Sequence, residues 1–269
     1  MTQLGLGART MKKPTESAQP LLGFDVGNTS VKCAVRRADG WRVILRVATA
    51  PVDTLCRRMT DALPPGGDRE VAGAACVASS VHPAADGALA AFCTQVTGAP
   101  PRFLGRDVPI PLATRVRQPH KVGADRLLLA LGARALCPAP YVVVGAGTAI
   151  TVDLVDADGR FAGGAIAPGF GLAASALHEG AALLPEVRLS GPAAAPGADT
   201  EEAIRAGVYW SCAGGVLALI ARYQEAAACD AIPVVCTGTD APLLLPVLPP
   251  GALHEPDLIF RGMEAALAG

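Results

Sequence analysis

GFDVGNTSVKCAV (residues 23–35) reads as two strands joined by a Gly-Asn turn. The apolar run Leu21 to Asp25 and the alternating run Val31 to Val35 are the strands, and Gly27-Asn28 is the turn signal. The stretch VVVGAGTAITVDL (142–154) has the same grammar: an apolar strand, a glycine turn followed by a small hydroxyl residue, then a second strand. Asp25 aligns with Gly145 and Gly27 with Gly147, an offset of 120 residues. Two copies of one hairpin predict a duplicated fold with two similar lobes. Each lobe is then a mixed β-sheet flanked by helices, with a cleft between them (an α/β fold).

Outward from the first hairpin, WRVILRVAT (41–49) predicts a third strand and 52–63 a helix ended by Pro64. A buried strand follows at 71–81, then a helix at 85–98 stopped by Gly98, then a strand at 101–105. GADRLLLALGARALC (123–137) is apolar nearly all round and predicts a central helix, ended by Pro138 and Pro140. Residues 141–169 read as strand, turn, strand, Asp-Gly hairpin, strand. Helices are expected at 171–185 and 200–226, the second capped by Thr200, with a loop between them. A strand at 233–238 and a C-terminal helix complete the chain. The expected division is a loose tail over 1–20, a first lobe over 21–118 and a second over 119–269. The 123–137 helix lies near the seam and offers an apolar face to a second chain.

The 269 residues are half apolar and 17% charged, with a formal net charge of −1. A sizeable core is expected, and nothing basic enough to suggest a nucleic-acid partner. The eight cysteines lack a C-x-x-C pair, and His82, His120, His178 and His254 do not complete zinc-type spacings. Free thiols in a reducing cytoplasm are the expectation. No apolar run in the sequence suggests a membrane span of about 20 residues.

The chemistry sits in the turns. Gly27 leaves backbone N–H groups open to a phosphate. Asn28 and Thr29 add side-chain donors, and Lys32 adds a point charge. Asp25 is unfavourable beside phosphates unless a cation intervenes, and Mg²⁺ reached through its own waters resolves the conflict. Gly147 and Thr148 would grip the same phosphates from the other lobe. No Walker A spacing occurs, and a strand follows the turn where a dinucleotide fingerprint needs a helix. In HKVGADRLLL (120–129), Asp125 and Arg126 open a helix just after Gly123. Two roles are open to Asp125: a proton acceptor for a substrate hydroxyl, or a helix-start carboxylate paired with Arg126.

Taken together, DVGNTSVK, PHKVGADR, GTAITVDLVDADGRFAGGAIAPG, ALHEGAALLP and TEEAIRAGVYW resemble, in order, the motifs of type III pantothenate kinases. That resemblance spans residues 21 to 269 and implies the duplicated actin-like (ribonuclease H-like) ATPase fold. It implies ATP-dependent phosphorylation of pantothenate to 4'-phosphopantothenate, the first step of coenzyme A synthesis, by a cytoplasmic homodimer with Mg²⁺ and a monovalent cation (K⁺ or NH₄⁺). By motif, Asp25, Val26, Gly27, Asn28, Thr29, Ser30 and Lys32 hold ATP and Mg²⁺, with Gly147 and Thr148 against ATP. Gly123, Ala124, Asp125 and Arg126 bind pantothenate, Asp125 is the proton acceptor, and Thr200 contacts the substrate. The sequence departs from the family pattern at three places. Gly145 stands where the family has an Asp that helps bind the monovalent cation, which leaves that ion without its carboxylate. Val116 replaces a Tyr that contacts pantothenate, and Thr239 replaces the second glycine of a late T-G-G. An alternative that Gly145 and Val116 favour is a nucleotide-binding accessory protein of the same fold with impaired catalysis.

Overall fold

In a computed structural model, which describes residues 20–66 and 71–268, two five-stranded sheets have matching orders. The first contains β1 (Leu21–Val26), β2 (Ser30–Arg37), β3 (Gly40–Ala48), β4 (Ala75–Ser80) and β5 (Arg102–Phe103), ordered β3-β2-β1-β4-β5. The second contains β6 (Tyr141–Ala146), β7 (Ala149–Val155), β8 (Phe161–Pro168), β9 (Val234–Thr237) and β10 (Leu253–His254). Its order read from the other edge is β8-β7-β6-β9-β10, the same plan. In each sheet a central strand pairs antiparallel with the strand after its hairpin and parallel with a later strand: β1 with β2 and β4, β6 with β7 and β9. The duplication expected from the two hairpins is therefore present in the topology. The tail expected over 1–20 lies almost wholly outside the described residues.

Five layers follow from where the apolar side chains go. Helices α1 (Leu55–Ala62) and α2 (Pro83–Thr97) cover the outer face of the first sheet, with Leu55, Met59, Leu89 and Phe92 packed on Phe24 and Val31. Helices α4 (Phe170–Gly180) and α5 (Thr200–Ala227) cover the outer face of the second, with Phe170, Val208 and Val216 packed on Val144 and Val152. Between the sheets lie α3 (Ala124–Ala133) and α7 (Leu258–Ala268). Leu128 and Leu131 pack with Phe260 and Met263 toward the first sheet, and Ala130 and Ala133 pack with Tyr141 and Val143 of the second. The two helices approach closely because both carry glycine at the contact. A Cβ on Gly262 would collide with the Leu128 carbonyl, and one on Gly132 would sit 2.9 Å from the Gly262 nitrogen.

Four expectations need correction. The central helix ends at Ala133, not near 137; its apolar pattern runs on, but the last bonds become shorter-range (Leu136 N–H to Ala133 O, 2.9 Å) as the chain turns into β6. Much of its apolar face, Leu128, Ala130, Leu131 and Ala133, is covered inside the chain by α7 and both sheets, which leaves only half-buried Leu127, Leu129 and Leu136 outside the core. The cap of α5 is Asp199, not Thr200. Asp199 Oδ1 accepts the Glu202 N–H at 2.8 Å and Glu202 Oε2 accepts the Ala198 N–H at 2.8 Å, a reciprocal arrangement that Thr200 cannot make one position on. Finally, α5 with its 28 residues is long and apolar enough to cross a membrane by length and composition. Its stripe of Ile204, Val208, Ala213, Val216 and Ile220 is spent on the second sheet's core. The strand expected at 233–238 is β9, while the short α6 (Ala241–Leu244) and the two-residue β10 beside it carry too little local signal to be expected from sequence. All eight cysteines are free.

Candidate active site

The symmetric hairpins meet. Their turns, at residues 27–29 and 147–148, project from the corresponding ends of β1 and β6. The Thr29 and Thr148 hydroxyls lie 2.6 Å apart across 119 residues of sequence. Beneath them is a cleft of about 220 Å³. Asp25, Gly27, Asn28, Thr29, Ser30 and Lys32 line it from the first sheet. Gly145, Gly147, Thr148 and Thr151 line it from the second, and Asp125 and Leu129 from α3.

Each turn is held by one internal bond: Gly27 N–H to Ser30 O at 3.0 Å, and Gly147 N–H to Ala149 O at 3.1 Å. Among the described residues, the amides of Asn28, Thr29 and Thr148 donate to no protein acceptor. This is the bare-amide arrangement that an anion accepts. The first turn is braced by the fully buried Thr49, whose hydroxyl donates to the Gly27 carbonyl (2.7 Å) and whose N–H donates to the Thr29 carbonyl (3.0 Å). The second is braced by two glycines. Gly169 N–H donates to the Thr148 carbonyl (3.0 Å), and Gly238, at φ +104°, lies on the backbone of Ala146. None of these three supports was expected from sequence. Thr49 follows a strand like many threonines, and a bracing glycine resembles any turn glycine until its neighbour is known.

Charge in the cleft is concentrated on its floor. Asp25, on β1, faces Lys32 across the ladder at 3.6 Å. Burial pushes its carboxyl above the ordinary range, against the pull of Lys32, and the nearby Asp125 charge raises it further. Asp125 also lies high, chiefly through burial, although its carboxylate accepts N–H groups at the start of α3 and feels Arg126. Gly123 makes room for that carboxylate, since a Cβ there would collide with Asp125 Oδ1. A hard cation prefers oxygen ligands and keeps much of its water, and the Asp25 carboxylate, in a cleft that the Thr29 and Ser30 hydroxyls also line, fits Mg²⁺ in that way.

Five residues expected at the site do not line this cleft: Val26, Gly123, Ala124, Arg126 and Thr200. Val26 is buried at the end of β1, and its carbonyl takes the Val81 N–H at 3.1 Å. Arg126 turns its side chain toward β7, where Asp153 receives it. Thr200 is exposed at the start of α5. Thr237, Gly238, Thr239, Pro256 and Ile259 form the cleft's far wall, while Val116 packs near Gly163 on β8.

Comparison with known proteins shows the family. A family model for type III pantothenate kinase matches residues 21–222. A type III pantothenate kinase of Phenylobacterium zucineum is 35% identical over 246 residues, covering 90% of this chain and 95% of the relative. One from Gluconobacter oxydans is 35% identical over 248 residues, covering 91% of each. Among solved structures, a protein of Campylobacter jejuni described as a Baf family transcriptional activator superposes with a TM-score of 0.58 at 20% identity, covering 92% of this chain and 97% of its own. The activator of the 2-hydroxyisocaproyl-CoA dehydratase of Clostridium difficile, with bound ADPNP, gives 0.50 at 14% identity, with 93% and 97% covered. At these identities the two structures speak for the fold alone.

Proposed function

We propose, from the premise that the chain belongs to the type III pantothenate kinase family, that its two hairpin turns hold the phosphates of ATP while Asp125 deprotonates the acceptor. The chain is a pantothenate kinase and phosphorylates pantothenate at the expense of ATP, in coenzyme A biosynthesis. One observation carries the residue assignment. Two turns with unpaired amides, touching through Thr29 and Thr148, close over a cleft whose floor holds the half-buried Asp125 carboxylate.

Phosphoryl transfer asks the protein mainly for positioning and charge neutralisation. The amides of Asn28, Thr29 and Thr148 take phosphate oxygens, and Lys32 supplies positive charge beside them. Asp25, with the Thr29 and Ser30 hydroxyls, would hold Mg²⁺ through its waters, and the ion when bound neutralises phosphate charge. Asp125 accepts the proton of the pantothenate primary hydroxyl as that oxygen bonds to the γ-phosphorus. The bond from the γ-phosphorus to the bridging oxygen breaks, and ADP leaves. A carboxyl held above its ordinary pKa is a better proton acceptor than a free one.

The monovalent cation fits less well. Position 145 offers no carboxylate. A Cβ there would stand 2.8 Å from the Thr151 hydroxyl and 3.4 Å from Leu129 Cδ1, so the space already holds Thr151. No step of the reaction is assigned to that ion. A coupled assay of ADP release should show turnover that depends on pantothenate. Its rate should be the same in K⁺, NH₄⁺, Na⁺ and choline salts at matched ionic strength. ADP release that ignored pantothenate would refute the assignment, and strong activation by K⁺ would refute the loss of the cation site.

A second copy of the chain is the proposed partner, through β8, α4, the turn after it and α5. Ile166, Leu172, Leu177, Leu183 and Trp210 are exposed there, Leu183 by 94% and Ile166 by 64%. A patch of large apolar side chains on one face marks an interaction surface. Such a dimer would place the start of α5, and with it Thr200, at the interface. Light scattering should report twice the 27.2 kDa of one chain. Ile166→Asp combined with Leu183→Asp should return the monomer mass, and a wild-type monomer would contradict the proposal.

A further inference from the structure

We propose that Asp153 is a positioning residue for pantothenate binding. It holds two of the three guanidinium nitrogens of Arg126 so that the third, Nη1, is presented to the substrate. This rests on the proposed function together with the family resemblance, which assigns Arg126 to pantothenate.

Asp153 is the one acid within β7, and only 1% of it is exposed. Alternation along that strand sends Thr151, Asp153 and Val155 to the face that meets α3, while Ile150 and Val152 enter the core beneath α5. Asp153 therefore lies one step below Thr151, which lines the cleft. Arg126 Nε donates to both carboxylate oxygens, at 3.1 and 3.2 Å, and Nη2 donates to Oδ1. The Arg126 side chain is 14% exposed, and its guanidinium lies 5.5 Å from the Phe161 ring. Among the described residues Nη1 has no protein partner, and it is not one of the buried polar atoms left without one.

The surroundings are built for this pair. Gly164 stands opposite Asp153 in the β7–β8 register, and a Cβ there would collide with Asp153 Oδ1. An ion pair of this kind is a poor device for stability, because both charges must leave water. It is a good device for direction, because a planar fork bound through two nitrogens cannot swivel. Arg126 follows Asp125 on α3 and its charge is felt by that carboxylate, so fixing its plane fixes the direction of the one nitrogen left over.

A double-mutant cycle of Asp153→Asn and Arg126→Gln tests this, with Tm and circular dichroism measured on each protein. Asp153→Asn should raise KM for pantothenate by about 10- to 100-fold and leave KM for ATP unchanged. In the Arg126→Gln background the same change should add little, since no guanidinium remains to be aimed. Asp153→Glu, which keeps the charge and moves the carboxylate by one methylene, should also raise KM for pantothenate, and it serves as the test if Asp153→Asn does not fold. An unchanged KM for pantothenate in both Asp153 variants, or losses that simply add in the double variant, would overturn the proposal and leave Asp153 a structural residue. An Arg126→Gln protein with unchanged KM for pantothenate would overturn the underlying assignment as well. The two failures are thus distinguishable.

Discussion

Asp125→Asn should lower kcat by about 10²- to 10⁴-fold with ATP and pantothenate saturating, the range expected when a proton acceptor is removed. Tm should not fall with it. Burial places the Asp125 carboxyl above its ordinary pKa, so its protonated form is the one the fold favours. Stability linked to that group is fully present below the unfolded pKa and is lost as pH rises through the folded one. At neutral pH the charged side chain is therefore a cost that asparagine does not carry. The Asp125→Asn protein should be at least as stable as wild type at pH 7, and the difference should shrink as the pH falls into the carboxylate range. Near-full turnover in this variant would remove Asp125 from the chemistry, and a collapse of Tm would mean that it serves the helix instead.

Gly238→Ala should be the most damaging single methyl among the residues that shape the cleft. The residue sits at φ +104°, a conformation that L side chains rarely adopt, and its Cβ would lie 2.6 Å from the Ala146 carbonyl carbon. The neighbour is backbone and cannot rotate away. Ala146 also accepts the Asp240 N–H at 3.1 Å, so relief would have to displace the strand that carries the second turn. Strained backbone costs about 1–3 kcal/mol and overpacking a similar amount. A loss of about 2–5 kcal/mol corresponds, at roughly 2–4 °C per kcal/mol for a chain somewhat smaller than this one, to a fall in Tm of about 4–20 °C. KM for ATP should rise, because Gly147 and Thr148 follow directly. A variant with wild-type Tm would show that β9 yields more easily than the contact implies.

Much of this was legible in the sequence because its signals are local. Turn chemistry and two-residue alternation located both hairpins. Their shared grammar located the duplication, which the matched strand orders β3-β2-β1-β4-β5 and β8-β7-β6-β9-β10 bear out. The same turns carry the cleft's bare amides, and Asp25, Asn28, Thr29, Lys32, Asp125, Gly147 and Thr148 all line it. What escaped depends on contacts between distant residues. The end of α3 is dictated by where the chain must turn to enter β6, while the apolar pattern runs on. The supports of the two turns, Thr49, Gly169 and Gly238, become recognisable only beside Gly27, Gly147 and Ala146. Asp153 is 27 residues from Arg126 and looks, in AITVDLV, like a polar interruption of a strand. The exposed large apolar side chains proposed to meet a second copy lie on β8, α4, the turn after it and α5, whereas apolarity alone pointed to α3, whose Leu128 and Leu131 pack inside the chain.

The most direct test is a crystal structure with Mg²⁺ and a non-hydrolysable ATP analogue. The phosphates should accept hydrogen bonds from the amides at 28–29 and at 148 together, with the metal on the Asp25 side and the γ-phosphorus facing the Asp125 carboxylate. Nucleotide bound to one turn only, or outside the cleft, would contradict the shared grip on which the residue assignments depend.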